Sequence, residues 1–398
     1  MKKILLIFVA FNGVLYAQTE QSEHAMQHTK MEDSIKDAKG VFTFNGYADI
    51  NYFHNLNNPQ NGSNLGASGF ERAFDQKCGQ FQLGLVQTKI TYTHKNSEAI
   101  VDLVFGPHGD LGNYGNIVGP LGTTTALAIK QAYFNWKATS KFTFTAGQFG
   151  THIGYEVIDA PLNCHYSLNN LFNNGPFYHI GVKGTYAFSD KLSLMGGIVN
   201  NWDNLYDNNM FKSAIGQLTI APSANTKLYL NYIGGNETTQ SNFNESDSVH
   251  SFKQMLDLVG TFQLTDCFLI GINGAFGQVG SDDPITKERT IANWGGAALY
   301  THYMFTDKFA IGTRVDFLDN TQGVQYIGNT DVVSATLTGI IKAADGHLLI
   351  KPEVRMDQYK KIAYSGPSAG DMQQFMDANG EYTKSSQITA GIAFIYKF

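Results

Sequence analysis

From Val41 onward apolar and polar residues alternate with a period of two, in runs broken by clusters of Asn, Gly, Asp and Ser. That period belongs to strands whose two faces meet different media. The runs predict strands at about 41–54, 79–95, 97–108, 124–137, 140–150, 176–188, 190–201, 211–222, 225–235, 250–264, 266–278, 292–305, 308–318, 331–342, 346–358 and 385–398, about sixteen in all. The connections alternate in length. Short turns such as Lys95-Asn96, Ser189-Asp190, Thr265-Asp266 and Thr306-Asp307 use the small polar residues that turns require, and long polar segments such as 55–78, 109–123, 236–249, 279–291 and 359–384 separate them. A soluble sandwich gives no reason for such alternation. A transmembrane barrel does, with short periplasmic turns and long extracellular loops. The predicted fold is all-β, a transmembrane antiparallel up-and-down β-barrel of about 16 strands.

Parity within single strands says which face looks where. In 308–318, Phe309, Ile311, Thr313, Val315 and Phe317 share a face opposite Arg314 and Asp316. In 346–358, Leu348, Ile350, Pro352, Val354 and Met356 oppose Lys351, Glu353, Arg355 and Asp357. An arginine facing lipid at mid-depth costs about 2 to 4 kcal/mol, so the charged face looks inward. The same rule turns His179, Lys183, Lys253, Asp257 and Asp102 toward the lumen as pore-lining charges. In 79–95 the parity shifts between Leu85 and Ile90, which predicts a bulge; neither 124–137 nor 292–305 shows a clear face. Pro352 is an oddity, because a closed barrel has no edge to tolerate its missing N–H.

Met1 to Ala17 has the parts of a secretory signal: Lys2 and Lys3, an apolar core too short to span a bilayer, and a small residue at the end. Residues 18–40 are polar and read as a flexible periplasmic segment; His24 and His28, with Met26 between them, are expected to be part of that tail and no metal ligand set. Export with no apolar helix long enough to cross a membrane points to the outer membrane for a β-rich chain. Its partners there are the lipids of that membrane. The formal net charge of −6 becomes −8 without the leader, since 26 basic residues then face 34 acidic ones. Nucleic acid is thereby an unsuitable partner. Of the cysteines, Cys267 follows a turn, which leaves a Cys78–Cys164 bridge between two loops as one expectation and free thiols as the other.

No nucleophile elbow, zinc helix or phosphate loop occurs, and no cofactor is implied. His165 with Ser167 and Asp159 could be drawn as a triad, yet such residues are common in polar loops, and a hydrolase is the weakest reading. About sixteen strands leave an aqueous channel. The reading favoured is therefore passive diffusion of small hydrophilic solutes or ions, with a non-conducting barrel whose loops bind a partner as the alternative.

The segment 150–181 is long, irregular and acidic, with Gly150, Gly154, Gly175 and Gly181 allowing bends. The run Gly147 to Asp159 (GQFGTHIGYEVID), then Tyr166-Ser167, Phe172, Gly175-Pro176, His179 and Gly181, then Trp202-Asp203-Asn204, resembles the OmpL-like β-barrel porin family of Gram-negative outer membranes. Tyr155 and Glu156 fall within that run. Asn201 stands where the family usually has glycine. The resemblance implies an outer-membrane porin over residues 41–398 without naming a solute. By analogy with general porins, this third long loop folds inward at about 151–175. Glu156 and Asp159 would then lie at a constriction facing Lys183, Arg314, Lys351 or Arg355, where opposed charge sets ion preference; alternatively they only hold the loop. Phe394, Tyr396 and Phe398 resemble the terminal signature read by the barrel-assembly machinery. A homotrimer is an expectation from general porins, although no strand displays an interface distinct from its lipid face.

Overall fold

The computed structural model describes residues 39–114, 125–207, 209, 211–237, 251–282, 286, 288–325, 327–360 and 373–398. The leader, the segment before residue 39 with His24, Met26 and His28, and parts of the long loops at 109–123, 236–249, 279–291 and 359–384 lie outside the described residues. The strands are Val41–Asn55 (β1), Phe81–His94 (β2), Ser97–Phe105 (β3), Ile129–Lys137 (β4), Phe142–Gly150 (β5), Tyr178–Ser189 (β6), Leu192–Val199 (β7), Ser213–Ser223 (β8) and Thr226–Asn236 (β9). They continue with Ser251–Thr265 (β10), Phe268–Asp282 (β11), Arg289–Thr306 (β12), Phe309–Asp319 (β13), Asp331–Ala343 (β14), Leu348–Tyr359 (β15), Phe375–Met376 (β16), Tyr382–Lys384 (β17) and Ser386–Lys397 (β18).

Sixteen of these strands form a closed antiparallel barrel in which β1 to β15 pair with their neighbours in sequence and β18 joins β15 to β1. Closure satisfies the strand backbone and leaves no edge, which a bilayer demands. The faces follow the alternation: Val315, Leu337, Val354 and Leu299 are exposed on the outside, while Arg314, Asp316, Lys351 and Arg355 are buried within. Phe394, Tyr396 and Phe398 lie on the outer side of the closing seam, where Phe398 and Gly46 exchange both backbone bonds at 3.0 Å.

Several local expectations are corrected. The predicted strand 97–108 ends at Phe105, because Gly106 takes a φ of +99° and Pro107 opens a short helix, Pro107–Gly112 (α1). The strand expected from 124 starts at Ile129 after a single turn of 3-10 helix at Thr125–Ala128, and that turn hid the parity. Phe134 and Trp136 face out. In β12 the face was illegible for another reason: Trp294, Tyr300 and His302 are buried inside while Leu299, Tyr303 and Phe305 are exposed outside, so both faces look apolar. The β2 irregularity lies just before Leu85, where Asp49 of β1 sits opposite and accepts the Leu85 N–H. The segment 359–384 contains the small β16–β17 hairpin.

Pro352 keeps its place through its neighbour. The β14–β15 register is the same on both sides, Thr338 opposite Glu353 and Ile341 opposite Ile350, with a gap in the ladder between. Gly339 faces the proline there, and a Cβ on it would come within 3.1 Å of the ring.

The expected Cys78–Cys164 bridge is not formed; Cys78, Cys164 and Cys267 are all free. Cys78 sits at the outer mouth, bonded through its N–H to Gly62. Cys164 has been carried to the turn end, where it packs with Ala310, Ile340 and Met304. A disulfide requires Cα atoms within about 7 Å, and the barrel height separates these two.

Candidate functional site

Residues 151–177 leave β5, pass through the lumen and return to β6 without following the wall. The segment descends as tight turns and one short helix, Asn170–Asn173 (α2), capped by the Asn169 side chain, which accepts the Phe172 N–H at 2.6 Å. Gly154 takes a φ of +89°, which only glycine adopts without strain.

The inward charges of β13 and β15 converge on this segment, and most of them bond its backbone. Arg314 donates to Glu156 and to the Ser167 carbonyl, each at 2.7 Å. Glu353 accepts the N–H groups of Tyr166 and Ser167 at 2.7 and 3.0 Å. Lys351 donates to the carbonyls of Ala160 and Asn163 at 2.7 and 2.5 Å, and Arg355 to that of Leu168 at 2.5 Å. Asp316 accepts the Asn170 N–H at 3.1 Å. From the far wall, Asp257 accepts the Gly154 N–H at 3.0 Å.

The two acids expected at the constriction part company. Glu156 is 4% exposed, enclosed between Arg314 and the Asn169 N–H. Asp159 is bonded to Lys130 and to Gln87, whose amide also reaches Asp102. Asp159 and Asp102 both border an open cavity. Lys183 does not face either acid; its ammonium lies 4.2 Å from the centre of the Phe149 ring. His179 is buried beside it, 3.0 Å from the Thr151 hydroxyl. Lys253 lies apart, 3.7 Å over Trp202. Asp357 is engaged by Arg355 and by Arg72, which comes from the first long loop.

The motif glycines have geometric causes. Cβ atoms on Gly147 and Gly181 would each come within 2.3 Å of a neighbouring strand's carbonyl oxygen. The Trp202-Asp203-Asn204 motif reaches back to Gly175-Pro176: the Asp203 carboxylate accepts the N–H groups of Phe177 and Tyr178 at 2.5 and 3.0 Å. The imagined triad has other engagements. His165 meets Thr338, the Ser167 hydroxyl accepts from Arg314, and Asp159 holds Lys130.

Several residues that bind the loop were missed, among them Gln87, Thr338, Ser334 and Tyr300. Lys130 was hidden by the unassigned face of β4. Asp49, which accepts the Tyr166 hydroxyl at 2.8 Å, and Asn51, which donates to the same oxygen at 2.6 Å, belong to the row Tyr47, Asp49, Asn51, Phe53, whose alternation in β1 was there to be read. The lumen also holds an apolar cluster, in which Ile153, Tyr155 and Leu171 of the loop pack against Met255, Trp294 and Tyr300. Charge alone does not line it.

A closed sixteen-strand barrel with apolar residues outside, buried charge inside and a long loop seated in the lumen defines the outer-membrane porin class. The family described as "Putative beta-barrel porin-2, OmpL-like" matches residues 41–398. The chain belongs to that family. Among solved structures, the anion-selective porin of Comamonas acidovorans is similar at a TM-score of 0.55 and 9% identity, covering 90% of this chain and 100% of that one. The outer-membrane channel DcaP of Acinetobacter baumannii gives 0.54 and 12%, covering 91% and 99%. OmpT of Vibrio cholerae in its trimer form gives 0.54 and 11%, covering 91% and 100%. At these identities the likeness shows the fold. No curated protein matches the chain in sequence.

Proposed function

We propose that the chain is a passive porin for small hydrophilic solutes in which the 151–177 loop is a fixed constriction, and that the two loop acids divide the work. Glu156 seats the loop. Asp159, at the edge of the cavity and shared between Lys130 and Gln87, is the acid that a passing solute meets. The observation that carries this is the difference in surroundings: the Glu156 side chain is 3% exposed and closed in by Arg314 and backbone, whereas that of Asp159, 10% exposed, lies at the cavity wall. No catalytic step is involved. Residues 1–17 are read as a cleaved leader, residues 18–40 as a periplasmic segment, and the outer face as bound by lipid. The seam carrying Phe394, Tyr396 and Phe398 is the signal for the assembly machinery, and the barrel assembles as a homotrimer, as the trimeric form among its structural neighbours suggests.

The test is ion selectivity in a planar bilayer. Asp159→Asn shifts the reversal potential toward anions; a reversal potential identical to that of the parent channel overturns the role given to Asp159.

A second reading has its own observation. Arg72 of the first loop, Leu171 of the 151–177 loop and Phe375 of the last loop all sit inside the outer half of the barrel. A non-conducting barrel whose loops bind a partner would look the same there. Absence of current across a bilayer containing correctly folded protein would favour it.

A further inference from the structure

Beneath the tip of the loop, at the end carrying the short turns, the lumen widens into a vestibule of about 970 Å³. Pro161 to Cys164 form part of its lining at the loop tip, and the turns at Thr306–Lys308 and Ala343–His347 border it. By barrel orientation this end faces the periplasm.

Its lining has two chemistries. One is cationic: Lys342 acts electrostatically on both Lys397 and His302, and Lys351 acts on His302, so these four groups share one field. The acids of the inner wall, Asp102 and Asp159, are both bonded to Lys130. Asp307 and Asp345 are exposed on the turns beside Lys308, at the rim. Lys351 is held by two carbonyl oxygens of the loop, and the Glu353 and Asp49 carboxylates act on it electrostatically. The other chemistry is apolar, from Tyr47, Leu162, Met304, Ile340 and Leu349.

We propose that this vestibule is a binding site for organic anions that join an acidic headgroup to an apolar body, with Lys342 and Lys397 receiving the headgroup. The volume falls within the range of about 300 to 1,000 Å³ usual for small-molecule sites. An inorganic ion would use the lysines and leave the apolar wall wet; a neutral apolar solute would do the reverse. Concave walls of low dielectric strengthen the field of the lysines on anything that enters.

The inference deepens the porin reading and rests on it only for passage through the barrel. Equilibrium dialysis of labelled probes against the full-length protein in detergent, with protein-free micelles subtracted, tests the site; conductance in potassium chloride tests the channel, and each can fail alone. Benzoate is expected to bind about tenfold or more tightly than either acetate or benzyl alcohol, a difference of about 1.4 kcal/mol. Phenyl phosphate serves as a second headgroup, and whichever of the two binds more tightly identifies the headgroup. The double variant Lys342→Ser, Lys397→Ser is expected to lose that tenfold, while Lys308→Ser at the rim does not. Heat-dependent gel mobility confirms that each variant forms the barrel. Equal binding of benzoate and benzyl alcohol, no binding by the parent, or a loss in Lys308→Ser equal to that of the double variant would overturn the site.

Discussion

At the scale of single residues, Asp203 shows how burial competes with hydrogen bonding. It lies in the loop after β7, outside the strands, and receives two backbone N–H groups and the Tyr114 hydroxyl. Those donors favour the charged form. Desolvation is nevertheless the larger effect and raises the carboxyl from 3.8 to about 6. A raised acid binds more protons folded than unfolded, so its contribution to stability is fully present below about 4 and is lost as the pH rises through about 6. Docking of this loop onto Phe177 and Tyr178 is therefore expected to loosen between pH 4 and 6. Amide hydrogen exchange at Phe177 and Tyr178, compared between the parent and Asp203→Asn, checks it: the difference between the two should vanish toward low pH and grow upward. The pairing of this motif with Gly175-Pro176 was legible only as two separate strings, because nothing in a linear pattern says that residues some 25 positions apart share hydrogen bonds.

At the scale of elements, the seat of the loop depends on a buried ion pair. Arg314 and Glu156 are both almost completely enclosed, with side-chain exposures of 0% and 3%. Removing one partner of such a pair strands the other charge, at a cost of about 3 to 5 kcal/mol. Arg314→Met is expected to destabilise the barrel by that order in urea unfolding from lipid vesicles, and to make the 151–177 loop cleavable by added protease. A stability within about 0.5 kcal/mol of the parent would show that the other backbone bonds suffice. The inward direction of Arg314 was readable from parity, since Val315 and Phe317 could not share its face. Its partner was narrowed only to Glu156 or Asp159. Parity names the residues that look into the lumen and is silent on depth, so Glu156 and Asp159 looked equivalent until the turns of the loop placed one against β13 and the other against β4.

At the scale of the whole molecule, the strand count and the closing order were legible because lipid outside and polar surroundings inside impose the same alternation on nearly every strand. It failed where the medium changed: β12 packs Trp294 and Tyr300 against the loop, so its inner face is as apolar as its outer one. The outer face admits a direct test. Val315, 53% exposed near the middle of β13, stands one position from Arg314, which is 1% exposed. Val315→Arg is expected to cost about 2 to 4 kcal/mol in a bilayer, measured by urea unfolding in vesicles. A loss much smaller than that would mean that this face is covered by protein.

Much of the wall's hold on the loop is on its peptide groups. Glu353, Lys351, Arg355, Asp316 and Asp257 all address N–H or C=O groups, which every residue except proline carries in the same form. At those positions the docking is indifferent to the loop's own side chain, whereas Glu156, Asp159, Tyr166 and Asn170 are held through theirs. Pro161 and Leu162, which look into the vestibule, can be exchanged one at a time without unseating the segment that carries them. Within such a barrel, a change of solute preference and a loss of fold become separable events, and drift or design can retune the passage while the lock that positions it stays the same.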